Sequence, residues 1–266
     1  MGFFDNLKID KMAREAYNAH VQANDLFRRG KLNDARAKYN EAVQLYGKAY
    51  DAGCRKGGIL TSYAVLLMRY GEFARARELM KEVSATSKLS DEAHFELRVN
   101  YSICLWRLGI LDKAIETVRF AGKYAKNSAY YSALCSFLVE QAGNTGSVED
   151  FEEARVTLDA AMDYDDEDAS TLDSYGEYYR QQGIWAAKRG DAETAGEMRA
   201  KAIDSFEKAL KARPSQVTTL YALANFAKED GDIERARQLT DKAILHCHSR
   251  ICPVSPEMLK ELKASL

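Results

Sequence analysis

Four glycines in this chain carry the same set of neighbours at the same offsets, and that recurrence limits the fold more than any other feature. Seven residues before Gly231 stands Ala224, and two, five, nine and twelve residues after it stand Ile233, Ala236, Thr240 and Ala243. Gly30 has Ala23 before it and Leu32, Ala35, Tyr39 and Ala42 after it; Gly71 has Ala64, then Phe73, Ala76, Met80 and Val83; Gly109 has Ser102, then Leu111, Ala114, Val118 and Ala121. Small residues on either side of a turn let two antiparallel helices approach closely, while the larger ones fill the seam to a neighbouring unit. A period of this kind marks stacked supersecondary units. Only three prolines interrupt the chain, and alternating β-branched runs are absent, so the fold is expected to be all-α.

Two further units are stretched. Phe151, Ala154, Leu158 and Ala161 supply the second helix of a fourth, preceded by an insertion over 143–149. In a fifth, Tyr175 to Tyr179 supply the first helix and Ala202, Phe206 and Ala209 the second, with 26 residues between Gly176 and Ala202 against 12 between Ala224 and Ala236. The excess of 14 equals about two turns on each of two paired helices. The spacing therefore predicts an extended hairpin over 176–202, turning at Gly190-Asp191 with Asp191 as a helix cap and Trp185 to Ala187 on a protruding part. The anchoring alanines (Ala35, Ala76, Ala114, Ala154, Ala202, Ala236) are 41, 38, 40, 48 and 34 residues apart.

With the stretch Leu220–Ala243 as its most regular unit, the chain resembles a bacterial-type tetratricopeptide repeat protein of about six repeats. The resemblance implies an all-α, right-handed superhelical solenoid of antiparallel helix pairs, with repeats 1–3 over 11–127 and repeats 4–6 over 128–248 in one continuous stack. A solenoid's last units leave apolar surface that must be covered. At the start, 1–10 is an apolar lead (Phe3, Phe4, Leu7, Ile9), readable as a flap or as a weak surface anchor, followed by a helix capped by Asp10. At the end, Ser255 and Pro256 open a capping helix over 255–266, with Met258, Leu259, Leu262 and Leu266 on one stripe.

The total charge of -2 with pI near 6.2 argues against nonspecific nucleic-acid binding. It is split unevenly: residues 1–127 hold 22 basic and 15 acidic side chains, or +7, and residues 128–266 hold 16 and 25, or -9. Either the solvated faces simply differ, or the halves could draw molecules together head to tail. Five scattered cysteines form no CxxC pair and no disulfide framework, and neither a signal peptide nor a run of roughly 18 apolar residues is found. A reducing cytoplasm is the expectation. His246, Cys247, His248 and Cys252 hold zinc-type ligands in a spacing that matches no regular finger, and Asp163 to Asp168 lacks the glycine and glutamate of a calcium loop. No nucleotide, metalloprotease or nucleophile-elbow motif occurs, so no cofactor, metal or catalytic residue is expected.

In the family that the chain resembles, the first helix of each pair lines a concave groove. Its groove positions fall here on His20, Asn24, Phe27 and Arg28 (with Tyr17), on Thr61, Val65, Met68 and Arg69, and on Val99, Ile103, Trp106 and Arg107. Three large apolar groups beside three arginines would suit a protein or peptide segment bearing an acidic group. The last unit offers Thr218, Tyr221, Asn225, Lys228 and Glu229, which are less basic, so contact is expected toward the N-terminal half. The resemblance implies a non-catalytic adaptor or scaffold, with a peptide-responsive regulator or a self-assembling module as alternatives.

Overall fold

A computed structural model describes residues 3–266, with side chains described from Leu7 onward. Among the described residues are thirteen α-helices and no strand: α1 (Phe3–Arg28), α2 (Leu32–Asp51), α3 (Gly57–Arg69), α4 (Phe73–Thr86), α5 (Asp91–Arg107), α6 (Leu111–Ala121), α7 (Ser128–Thr145), α8 (Val148–Tyr164), α9 (Ala169–Lys188), α10 (Ala192–Ala212), α11 (Val217–Glu229), α12 (Ile233–His246) and α13 (Pro256–Ala264). The first twelve form six antiparallel pairs, and the chain is an all-α helical repeat solenoid. No described helix is long and apolar enough to cross a membrane.

The recurring small residues close the pairs. Ala23, Ala64, Ser102 and Ala224 have no exposed surface, nor have Ala42, Ala76, Ala114 and Ala236. The four turn glycines hold φ between 72 and 85°, a left-handed region that costs other residues a steric clash. Larger seam residues join the pairs into extended cores. One runs from Ala16 through Tyr46 and Met80 to Cys104, and another from Phe95 through Phe137 to Leu158 and Tyr178.

The fifth pair is the longest. α9 and α10 meet at Gly190 (φ 81°), and Asp191 accepts a bond from the Thr194 amide at 3.0 Å. Its outer part is not free of the stack. Trp185 Nε1 donates to the Gly143 carbonyl at 2.9 Å, Arg189 donates to the Gly146 carbonyl at 3.0 Å, and Ala186 is buried. The insertion of the fourth unit thus props the extension of the fifth. This corrects the expectation of protrusion for Trp185 and Ala186, while Ala187 is exposed.

At the N-terminus, α1 is continuous from Phe3, so Asp10 lies inside the helix rather than capping it; it pairs with Lys56 at 2.8 Å. The reason is local: Ile9 and Ala13 extend one buried stripe onto Ala49 and Cys54, and helix continues wherever that stripe finds cover. Met1 and Gly2 and the side chains of Phe3 and Phe4 lie outside the described residues. At the other end the Ser255 hydroxyl accepts from the Met258 amide at 3.2 Å, and Leu259 and Leu262 of α13 are buried.

Candidate partner-binding groove

The inner side of the stack is lined mainly by first helices of the pairs. Over the third to sixth units this inner side encloses a cavity of about 1430 Å³, walled by α5, α7, α9, α10 and α11 and floored in part by the loop Ile251–Val254. Val99, Ile103 and Trp106 of the predicted groove set are on its wall. The Trp106 ring packs 5.3 Å from Phe137, and its Nε1 donates to the Glu140 carboxylate at 2.6 Å. Across the space, Tyr221 and Asn225 stand at the matching positions of α11. The open volume is therefore displaced toward the C-terminal half, contrary to the expectation from sequence.

Charged groups on this wall are mostly engaged. Glu177 receives two bonds from Arg180, at 2.7 and 2.6 Å, and one from Gln181. That carboxylate holds the Arg180 guanidinium charged and raises its pKa. Arg199 lies 4.9 Å over the Phe226 ring and donates to Asp230 at 2.7 Å. Asp173 accepts from the Thr218 and Thr219 hydroxyls at 2.9 and 2.5 Å; burial pushes its carboxyl up to about 6, against the downward pull of those two bonds. Five carboxylates (Glu96, Glu140, Asp173, Glu177, Glu229) face three arginines (Arg180, Arg199, Arg213), so the wall gives no support to an acidic group on the ligand.

The expected residues of the first two units lie elsewhere. His20 is half-buried between the Tyr39 and Tyr46 rings, and burial, with Arg69 second, lowers its pKa. Asn24 accepts from the Tyr39 hydroxyl at 2.7 Å, while Arg28 is exposed and Thr61 and Val65 are half-buried. Arg69 stacks on Phe27 and Tyr39, its guanidinium carbon 4.7 and 4.4 Å from their centroids. Arg107 lies 5.4 Å from Phe73 and 5.8 Å from Trp106. Met68, expected on the groove, has no exposed surface and belongs to the core. Phe27 and Trp106 share its offset from the turn glycine and stay half-buried, so the side chains that neighbouring helices pack against Met68 decide its burial.

The loop between α12 and α13 crosses from the last unit to the first two. The His248 ring meets Phe27 edge-on at 5.8 Å, the Arg250 amide donates to the Arg69 carbonyl at 3.0 Å, and Ile251 packs on the first core. His246, Cys247, His248 and Cys252 are thereby drawn into packing; the Cys247 thiol donates to the Val254 carbonyl at 3.5 Å, and burial pushes the Cys252 thiol up to about 11. Among the described residues no three His, Cys, Asp or Glu are grouped to hold a metal. In the acidic run, the Asp168 carboxylate caps α9 by accepting from the Thr171 amide at 2.9 Å.

Paired helices, glycine turns and small-residue seams define the class, a helical repeat solenoid. Residues 188–256 match the tetratricopeptide repeat family model. Among solved structures it is similar to TTC0263, a thermophilic TPR protein of Thermus thermophilus, at 19% identity and TM-score 0.57 over 79% of this chain and 98% of that one. It is also similar to human IFIT1 solved with Gppp-AAAA, at 14% identity and TM-score 0.62 over 90% and 61%. Cut9, from the APC/C Cut9–Hcn1 assembly, aligns at 13% identity and TM-score 0.52 over 94% and 46%. At these identities the likeness concerns the fold. No curated protein matches by sequence.

Proposed function

We propose that the protein is a non-catalytic adaptor that holds a segment of a partner protein in the inner cavity of its third to sixth units. The tetratricopeptide fold is in general a protein–protein interaction scaffold. The observation that carries the reading is the 1430 Å³ cavity itself, apolar where Phe95, Val99, Trp106 and Phe226 contribute and polar where Glu140, Asp173 and Arg180 do. Partner recognition uses such a mixture, apolar anchors for affinity and a few placed polar groups for register. The buried thiols suit no nucleophilic role: burial pushes Cys104 and Cys135 up to about 12, where thiolate is scarce at neutral pH. A cytoplasmic location belongs to the same proposal, supported by the five free cysteines.

The test fills the cavity. Ser132→Trp and Asn100→Trp place bulk on the walls of α7 and α5 without touching a seam. A folded double variant should lose partners that the native chain retains. Retention of every partner would refute the cavity as the binding site.

A further inference from the structure

A helix end leaves its last carbonyls without partners inside the helix, and something must satisfy them. At the end of α3, the Arg69 carbonyl accepts from the Arg250 amide at 3.0 Å, a donor 181 residues further along the chain. The Phe27 ring has the Arg69 guanidinium against one side, 4.7 Å away, and the His248 ring edge-on at 5.8 Å. Ile251 lies against the core that runs through the first two units to α5, although its loop belongs to the last unit. A Cβ added at Gly71 would come within 3.4 Å of the Arg250 side chain, so the turn and the loop are already in close contact. A ring and, two residues on, a backbone donor are bound by α1 and α3, and the branched aliphatic group that follows packs on the core these helices share with α5.

The loop is held ready for this from its own side. The Arg250 guanidinium makes two bonds to Glu257, at 2.7 and 3.0 Å, and Val254 is buried against α12 and α13. Anchored at both stems, the loop presents His248 to Ile251 outward across the groove.

We infer that the first two units carry a peptide-binding subsite, formed by Phe27, Arg69 and the Gly71 turn, which the chain fills with its own His248–Ile251 segment. The subsite takes a turned segment with a planar ring, a free backbone N–H two residues on, and a branched aliphatic side chain next. An external segment of that pattern binds there only by displacing the internal one, which a short tether keeps at an effective concentration on the order of millimolar. This inference goes beyond the proposed adaptor function; its subsite is on α1 and α3, while Ile251 of the filling segment also reaches the floor of the inner cavity, and its test needs no partner.

The test compares the native chain with a loop variant carrying His248→Gly, Arg250→Gly and Ile251→Ser, which leaves Val254 and the α13 core intact. The probe is a synthetic peptide of residues 246–253 with both cysteines replaced by serine, added to millimolar concentration and followed by amide NMR shifts. The loop variant should show saturable shifts confined to residues near Phe27 and Arg69–Gly71, and the native chain should bind about tenfold more weakly or worse. Adding Phe27→Ala to the loop variant should remove the shifts. Ile251→Ala alone, a milder change at a half-buried position, should admit the peptide with intermediate affinity. Absence of shifts in both folded loop variants, shifts elsewhere in the groove, or equal binding by the native chain would overturn the inference. A native chain that dimerises only with its loop intact would overturn it too, by making a second copy the occupant.

Discussion

Gly176 and Gly196 lie in the same long hairpin, both inside helices, and they separate helix propensity from close packing. A Cβ at Gly176 would sit 2.6 Å from ring carbons of Phe206, a side chain only 2% exposed, whereas a Cβ at Gly196 meets nothing within 4 Å. Gly→Ala in a helix interior contributes about 0.5–1 kcal/mol through backbone entropy alone, so Gly196→Ala should stabilise by roughly that amount. Gly176→Ala gains the same term and meets an overpacking cost of about 1–3 kcal/mol, because Phe206 must move within a closed core. The two variants should therefore differ by about 1–3 kcal/mol, with Gly196→Ala above the native chain and Gly176→Ala at or below it. Urea titration followed by circular dichroism gives the midpoints, and amide exchange in α9 and α10 localises the effect, since repeat arrays need not unfold in one step. Equal stabilisation by both substitutions would refute the claim that close approach at Gly176 sets the geometry of this pair.

Other outcomes follow from single contacts. Asp173 has a carboxyl raised to about 6, so its folded state prefers the proton and native stability falls as pH rises through that value. Asp173→Asn should raise the melting temperature at pH 8 and lose that advantage progressively from about pH 6 down to about pH 4; a pH-independent difference would contradict it. Trp185→Ala removes the bond to Gly143 and the ring against Gly146, and should speed amide exchange and proteolysis at the Gly190 turn while leaving α1–α4 unchanged. Cys104 and Cys135, raised to about 12, should resist a thiol reagent in the folded protein and react only on unfolding. Head-to-tail attraction between the +7 and -9 halves predicts a mass that falls with added salt in light scattering; a salt-independent monomer would remove that reading.

Local, periodic signals account for what was legible in the residues. The offsets around Gly30, Gly71, Gly109 and Gly231 mark seams because a close helix crossing admits only small side chains, and the spacing from Gly176 to Ala202 places a turn at Gly190. Less legible was which groove positions stay open. Phe27, Met68 and Trp106 occupy one offset, yet Met68 is closed into the core while Trp106 faces a cavity, because neighbouring units decide the exposure of a residue at the seam's edge. The destination of His248–Ile251 has no local signature at all; it depends on a contact spanning most of the chain and on the curvature that brings the two ends together. Asp10 misled for a related reason: its type suits a cap, but the buried stripe of Ile9 and Ala13 carries the helix past it.

The central claim, that partner protein enters the inner cavity of the third to sixth units, is tested most directly by site-specific photo-crosslinking. A photoreactive phenylalanine analogue would replace Asn100 or Tyr221 on the cavity wall, and Glu116 on the exposed face of α6. The account predicts that one partner crosslinks from both cavity positions and not from Glu116. Crosslinking of that partner from Glu116 alone would contradict it.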